Sequence, residues 1–220
     1  SRDPQIKPYS LWAHGIAEMT RGRLEAAVDS LTRATSLFSK LGLDYESAQP
    51  QIATLVALAM LGRYDRISRI APRALKILEE FGDELSAGKI EINLSNISSR
   101  RGRHRDAEKL GLSAYKRFHK IRARSWQAMA ENGLAITYTE LSDFQTAKKW
   151  FQAALKSAIV TGAHVTEAEI EASIGNLEFF RGRYGEALRS LERSRKKFDS
   201  LGLTHKAAVT SLELAEIYAE

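Results

Sequence analysis

The stretch IGNLEFFRGRYGEAL, Ile174 to Leu188, holds a triplet, Arg181-Gly182-Arg183, that occurs twice more as Arg21-Gly22-Arg23 and Arg101-Gly102-Arg103. Successive copies stand 80 residues apart. Such a triplet has three readings: a basic nucleic-acid element, a phosphate-gripping loop, or a turn that recurs because the architecture recurs. Sliding the sequence by 40 residues separates them. Gly22, Gly62, Gly102, Ser142 and Gly182 then align, and a second series, Gly42, Gly82, Arg122, Gly162 and Gly202, falls 20 residues later. A fixed period of this kind sets the architecture before any other feature is read. Two helix-breaking positions per period divide each repeat into two segments of about 16 to 18 residues. Within them apolar residues recur at three and four, as in Ala27, Leu31, Ala34, Leu37 and Phe38, or Ala187, Leu188, Leu191 and Phe198, which predicts helices.

Small residues recur where paired helices must cross closely. Ala27, Ile67, Ala107, Ala147 and Ala187 stand five after the turn, and Ala34, Ala74, Ala114, Ala154 and Ser194 twelve after it. Alanine alone is a good helix former, but propensity does not hold a register over five repeats; close helix packing does. The chain thereby resembles a tetratricopeptide repeat array, with a small residue seven before the turn (Gly15, Ser95, Ala135, Gly175), a turn glycine, an aromatic two after it (Tyr64, Phe144, Tyr184) and an alanine five after it. The second repeat departs most, with Leu55 and Ile67 at small positions and with Pro50 and Pro72 intruding. A proline well inside a helix costs roughly 3 kcal/mol, so a kink or break is expected at Pro72.

The resemblance implies an all-α, right-handed α-solenoid of about eleven antiparallel helices, or five and a half repeats of the long, 40-residue form found in bacterial signalling and regulatory proteins. It divides the chain into a linker over residues 1–8 and repeats over about 9–43, 44–83, 84–122, 123–162, 163–202 and a half repeat over 203–220. The first helix is expected to begin near Tyr9. The last segment has a first-helix pattern (Leu214, Ala215, Tyr218) without its second helix, so the chain reads as part of a longer protein, with adjoining domains as further partners.

Composition bounds the function. With 44% hydrophobic and 27% charged residues the chain can bury a core and is not disordered. Its longest uncharged apolar run, Ile52 to Leu61, is far shorter than the roughly 20 residues of a membrane span, and the start lacks a signal-peptide segment. The absence of cysteine excludes disulfides and thiolate chemistry and suits a cytoplasmic setting. Of the net charge of +6, the segment Arg100 to Arg124 carries +8, so basicity belongs to that segment and not to the whole surface.

No cofactor, metal site or enzyme is indicated. His14, His104, His119, His164 and His205 are scattered, without the i, i+4 spacing of a helical zinc site, and His14 falls on a core-facing position. No glycine-rich phosphate loop occurs. The expected function is that of a protein-interaction scaffold for a peptide or partner domain, within a larger bacterial regulatory protein. In the family the first helix of each pair lines the concave wall, which places positions ten, six and three before each turn on the binding face. These include Trp12, Ile16 and Met19; Asn96; Asn132 and Ile136; and Asn176 and Phe179. Asparagine offers an acceptor and two donors to an extended backbone, and the resemblance implies that Asn96, Asn132 and Asn176 do so. Trp12, Ile16 and Met19 form either a groove for a partner helix or a packing face for a neighbouring repeat.

Two alternatives follow from other features. The cations Arg100, Arg101, Arg103, Arg105, Arg122 and Arg124 suit salt-dependent binding of nucleic acid or an acidic protein, the acidic protein being favoured because stacking aromatics are not interleaved with them. A structural spacer or dimerisation module is the third reading.

Overall fold

The computed structural model describes residues 6–219. Among them are eleven α-helices: α1 (Ile6–Thr20), α2 (Leu24–Lys40), α3 (Asp44–Met60), α4 (Tyr64–Glu80), α5 (Glu84–Arg100), α6 (His104–Lys120), α7 (Arg124–Glu140), α8 (Phe144–Thr161), α9 (His164–Phe180), α10 (Tyr184–Ser200) and α11 (Thr204–Tyr218). Residues 1–5 of the expected linker lie outside the described residues. The first helix begins at Ile6 rather than near Tyr9, and Pro8 sits in its first turn, where a missing N–H breaks no helical hydrogen bond.

All the turns have one construction. The N–H of the third turn residue reaches back to a carbonyl five residues earlier, as in Arg23 to Glu18 (2.9 Å), Arg63 to Leu58 (2.9 Å) and Arg183 to Glu178 (2.8 Å). The second turn residue is left-handed, with φ of 74° at Gly22 and 68° at Gly182. This is the Schellman closure, which satisfies the last carbonyls of the outgoing helix. It recurs at both series of turns, so each helix with its turn occupies half a period. Arg122 (φ 56°) and Ser142 (φ 59°) adopt the same conformation without being glycine.

The chain divides into two compact units, one to Ile97 and one from Ser98. In the first, α1 packs on α2, α2 on α3, and α3 on α4. Its core holds Leu55, Leu58, Ile67, Leu78 and Ile90. In the second unit α6 through α11 pack in sequence and α7 also touches α9. Phe151, Ile170 and Leu177 lie among the buried alanines 128, 135, 147, 154 and 158 there.

The small position seven before the turn sets the approach of each pair. A Cβ built on Gly15 would stand 2.6 Å from Leu31 Cγ, and one on Gly175 would stand 2.7 Å from Leu191 Cγ. In the second repeat the sizes are exchanged: Leu55 replaces the glycine, Ala71 occupies the place of Leu31, and both are buried. The departure seen in the sequence is thus a compensated one. The expected break at Pro72 does not occur, because α4 runs unbroken from Tyr64 to Glu80 through it. Pro72 is exposed, so water can take the carbonyl that its ring leaves unbonded. Pro50 is likewise contained within α3.

The exchange of sizes can be tested directly. Gly175→Leu alone should lower stability by about 2 kcal/mol or more, as overpacking does. Adding Leu191→Ala, which copies the Leu55 and Ala71 arrangement, should restore most of it; urea denaturation of the single and double variants measures the recovery.

Candidate functional site

The expected binding residues fall into two groups. In the first unit α1 carries Trp12, Ile16 and Met19. Ile16 is exposed, but the Trp12 ring stands edge-on to Phe38 with centroids 6.5 Å apart, and Met19 packs against the core. Asn96 lies exposed on α5. In the second unit α7 carries Asn132 and Ile136, and α9 carries Asn176 and Phe179.

The third position of the expected face lies one residue away. Three before the turn, Met19, Ala59 and Phe179 pack on core clusters, and the Thr139 hydroxyl donates to the Ala135 carbonyl of its own helix at 2.9 Å. The residues two before the turn, Thr20, Met60, Arg100, Glu140 and Phe180, are all exposed. Spacings of four and three or of four and four both fit a helix face, and packing selects the second. Phe180 is therefore the presented aromatic, at 64% exposure, while Phe179 supports it from a ring distance of 6.3 Å.

The asparagines differ. Asn132 is half-buried, and its Oδ1 is buried without a hydrogen-bond partner. The Asn176 amide donates to Glu213 Oε1 on α11 at 3.3 Å. Burial pushes the Glu213 carboxyl up, more than this hydrogen bond lowers it, and the nearby Glu216 charge pushes it further. Lys206 of α11 pairs with Glu169 of α9. Side chains 37 residues apart thus join successive first helices along this face, and a search confined to repeat positions 40 apart does not find them.

The basic residues divide by use. In the first and last triplets the arginines hold a buried glutamate four before the glycine: Arg21 and Arg23 lie 3.0 and 2.6 Å from Glu18, and Arg181 and Arg183 lie 3.1 and 3.8 Å from Glu178. Burial alone would raise the Glu18 carboxyl; the Arg21 hydrogen bond and the charge and hydrogen bond of Arg23 outweigh it and hold it below its usual range. Serine stands at that place before the middle triplet, Ser98, so Arg101 and Arg103 have no such glutamate. His14, expected to pack in the core, is exposed instead; its Nδ1 lies 3.1 Å from Ser30 Oγ and its Nε2 lies 3.7 Å from Glu18. Arg105 pairs with Glu108 at 3.0 Å, whose other oxygen accepts the Tyr138 hydroxyl at 2.7 Å. Arg100, Arg103, Arg122 and Arg124 are exposed.

Residues 126–200 match the profile of the tetratricopeptide repeat family. This segment, about a third of the chain, is similar in sequence to tetratricopeptide repeats. No curated protein matches the chain in sequence. Among solved structures, the tetratricopeptide fold extends over nearly all of it. A signal transduction ATPase with numerous domains and a tetratricopeptide repeat sensor, from Pyrococcus horikoshii, superposes with a TM-score of 0.79 at 17% identity, over 96% of this chain and 32% of that one. The apo form of RapI gives 0.78 at 18% identity, over 92% and 74%. A Rap protein complexed with competence and sporulation factor gives 0.73 at 14% identity, over 100% and 66%. This chain therefore spans about a third of the first protein and about two thirds of the third. Among the described residues no helix is long and apolar enough to cross a membrane, and no group of three His, Cys, Asp or Glu could hold a metal ion.

The link between α6 and α7 makes stability depend on pH. Burial, then the hydrogen bond to Glu108, pushes the Tyr138 phenol up to about 12, from an unfolded value of about 10. The neutral phenol is favoured in the folded state, so this contribution is complete below pH ~10 and is lost as pH rises toward the folded value. Urea denaturation should show stability declining over that window, and Tyr138→Phe should flatten the decline.

Proposed function

We propose that the chain is a protein-interaction scaffold whose first helices α7, α9 and α11 hold an extended peptide or partner segment, as part of a regulatory protein. The observation that carries this reading is the buried, unpartnered Asn132 Oδ1 on the same face as exposed Ile136. A buried acceptor without a partner is costly, and a peptide N–H relieves it. Asn176, Ala172 and Phe180 continue the face on α9, so amide groups alternate with apolar contacts as recognition of an extended strand requires. The Rap protein complexed with competence and sporulation factor and the Rap conjugation regulator in complex with the Phr* peptide share the fold, which supports a peptide as the partner. Asn96 is assigned the corresponding role in the first unit, where Trp12 and Ile16 form the apolar part of the face and Met19 backs it. The setting is assigned as cytoplasmic.

Peptides selected from a random library on the wild-type chain should lose about 1–3 kcal/mol of affinity when Asn132 and Asn176 are both replaced by alanine. Unchanged affinities, measured by calorimetry, would remove this face from consideration.

A second reading rests on the exposed cations Arg100, Arg103, Arg122 and Arg124 in the segment of net charge +8. Such a segment suits an acidic protein surface, or nucleic acid without sequence preference. Arg103→Glu with Arg122→Glu should abolish any retention of bulk RNA at about 50 mM salt, where phosphate contacts are strong; wild-type protein that shifts no RNA there excludes the nucleic-acid form.

A further inference from the structure

Buried carboxylates recur along the first helices, at Glu91, Glu131 and Glu171, with Gln51 in the equivalent place of the second repeat. On α9, Glu171 is satisfied from the second helix of its pair: Arg193 donates to its Oε2 from Nη2 at 2.8 Å and from Nε at 3.1 Å. The residue 40 before Arg193 is Ala153. Glu131 consequently has no guanidinium opposite it. Gln127 Nε2 donates to its Oε1 at 2.8 Å, but its Oε2 is buried and has no partner. Glu131 is 2% exposed, and a charge so placed is expensive unless it is paired.

A cleft of about 420 Å³ opens where that arginine would lie, lined by Glu131, Ala153, Gln127 and Ser157, with Arg122, Arg124, Lys156 and His119 around it. Glu131 is the one buried residue of the lining, and the cations are exposed, so the negative charge lies deep and the positive charges lie at the mouth. The size is that of a small-ligand site. A lone guanidinium would meet Glu131 favourably but would be repelled by Arg122, Arg124 and Lys156, for which no ion pair occurs among the described residues. A lone anion would meet the mouth favourably and leave Glu131 unpaired. A group that carries both charges satisfies both ends, and a guanidinium matches a carboxylate with paired hydrogen bonds.

We propose that this cleft is a recognition pocket for an arginine side chain with an adjacent carboxylate, the guanidinium replacing in trans the arginine that the α9–α10 pair supplies from its own chain. Free arginine and an arginine–aspartate segment of a partner protein share that chemistry. The pocket is independent of the asparagine face, which uses other residues.

Calorimetry on the whole chain tests the assignment with free L-arginine, agmatine and a peptide of sequence Gly-Arg-Asp-Gly blocked at both ends. Arginine or the peptide should bind, the tighter of the two identifying the source, and agmatine, which lacks the carboxylate, should bind about tenfold more weakly than arginine. Ala153→Arg, which installs the partner already used by Glu171, should keep the fold, raise the melting temperature and abolish binding. Glu131→Gln should weaken binding by at least about tenfold. Failure of both arginine and the peptide to bind at about 1 mM overturns the proposal. Binding that survives Ala153→Arg places the ligand elsewhere and also overturns it, and agmatine binding as tightly as arginine overturns the role of the cationic mouth. Asn132→Ala with Asn176→Ala should leave arginine binding unchanged, which separates this pocket from the peptide face.

Discussion

The fold depends on the distance at which the two helices of a pair can cross. In the first, second and fifth repeats one helix is small there where the other is large, and the combined volume is kept rather than the identity of either residue. Gly15 faces Leu31 and Gly175 faces Leu191 so closely that an added methyl would collide, while Leu55 and Ala71 make the same exchange in reverse. Interiors packed at crystal density tolerate exchanges that conserve volume far better than those that change it. The alanines five and twelve after each turn serve the same approach, since Ala27, Ala34, Ala187 and Ser194 are fully buried.

The turn is the second constraint, and it is a property of the backbone. A left-handed residue followed by a hydrogen bond to a carbonyl five residues back reverses the chain after every helix, and glycine adopts that conformation with the least strain. Side-chain caps contribute little: among the described helix starts, the Asp143 carboxylate accepts the Thr146 N–H at 3.1 Å and Asp83 accepts that of Ser86 at 2.9 Å. The charges beside the turn answer to a different demand. Arginines of the first and last triplets neutralise buried Glu18 and Glu178, whereas Ser98 removes that demand from the middle copy. One motif therefore pairs with a buried glutamate four before its glycine in two places and lacks that glutamate in the third.

The repeat also explains how a ligand site arises without a motif. Where one repeat pairs a buried acid with an arginine from its second helix, as Glu171 with Arg193, a repeat that keeps the acid but has alanine in the arginine's place leaves a shaped, charged vacancy in an otherwise ordinary packing. Ala153 is the commonest kind of helix residue and carries no signal by itself; its meaning comes from Arg193 at the same place in the next repeat and from Glu131 across the pair.

The 40-residue period, the helical character of both half-periods and the turns at glycine were legible from the sequence, because backbone conformation at a turn and the apolar stripe of a helix are local properties. Which residues face outward was legible only to within one position: spacing allows Phe179 or Phe180 on the face, and only packing against the cluster of Ala187, Leu191, Leu214 and Ile217 draws Phe179 inward. Tolerance of Pro72, the exposure of His14, the use of the paired arginines and the unpaired state of Glu131 depend on which groups meet across helices. Those outcomes were decided by the tertiary structure, because burial and pairing are properties of side chains brought together from distant points of the chain.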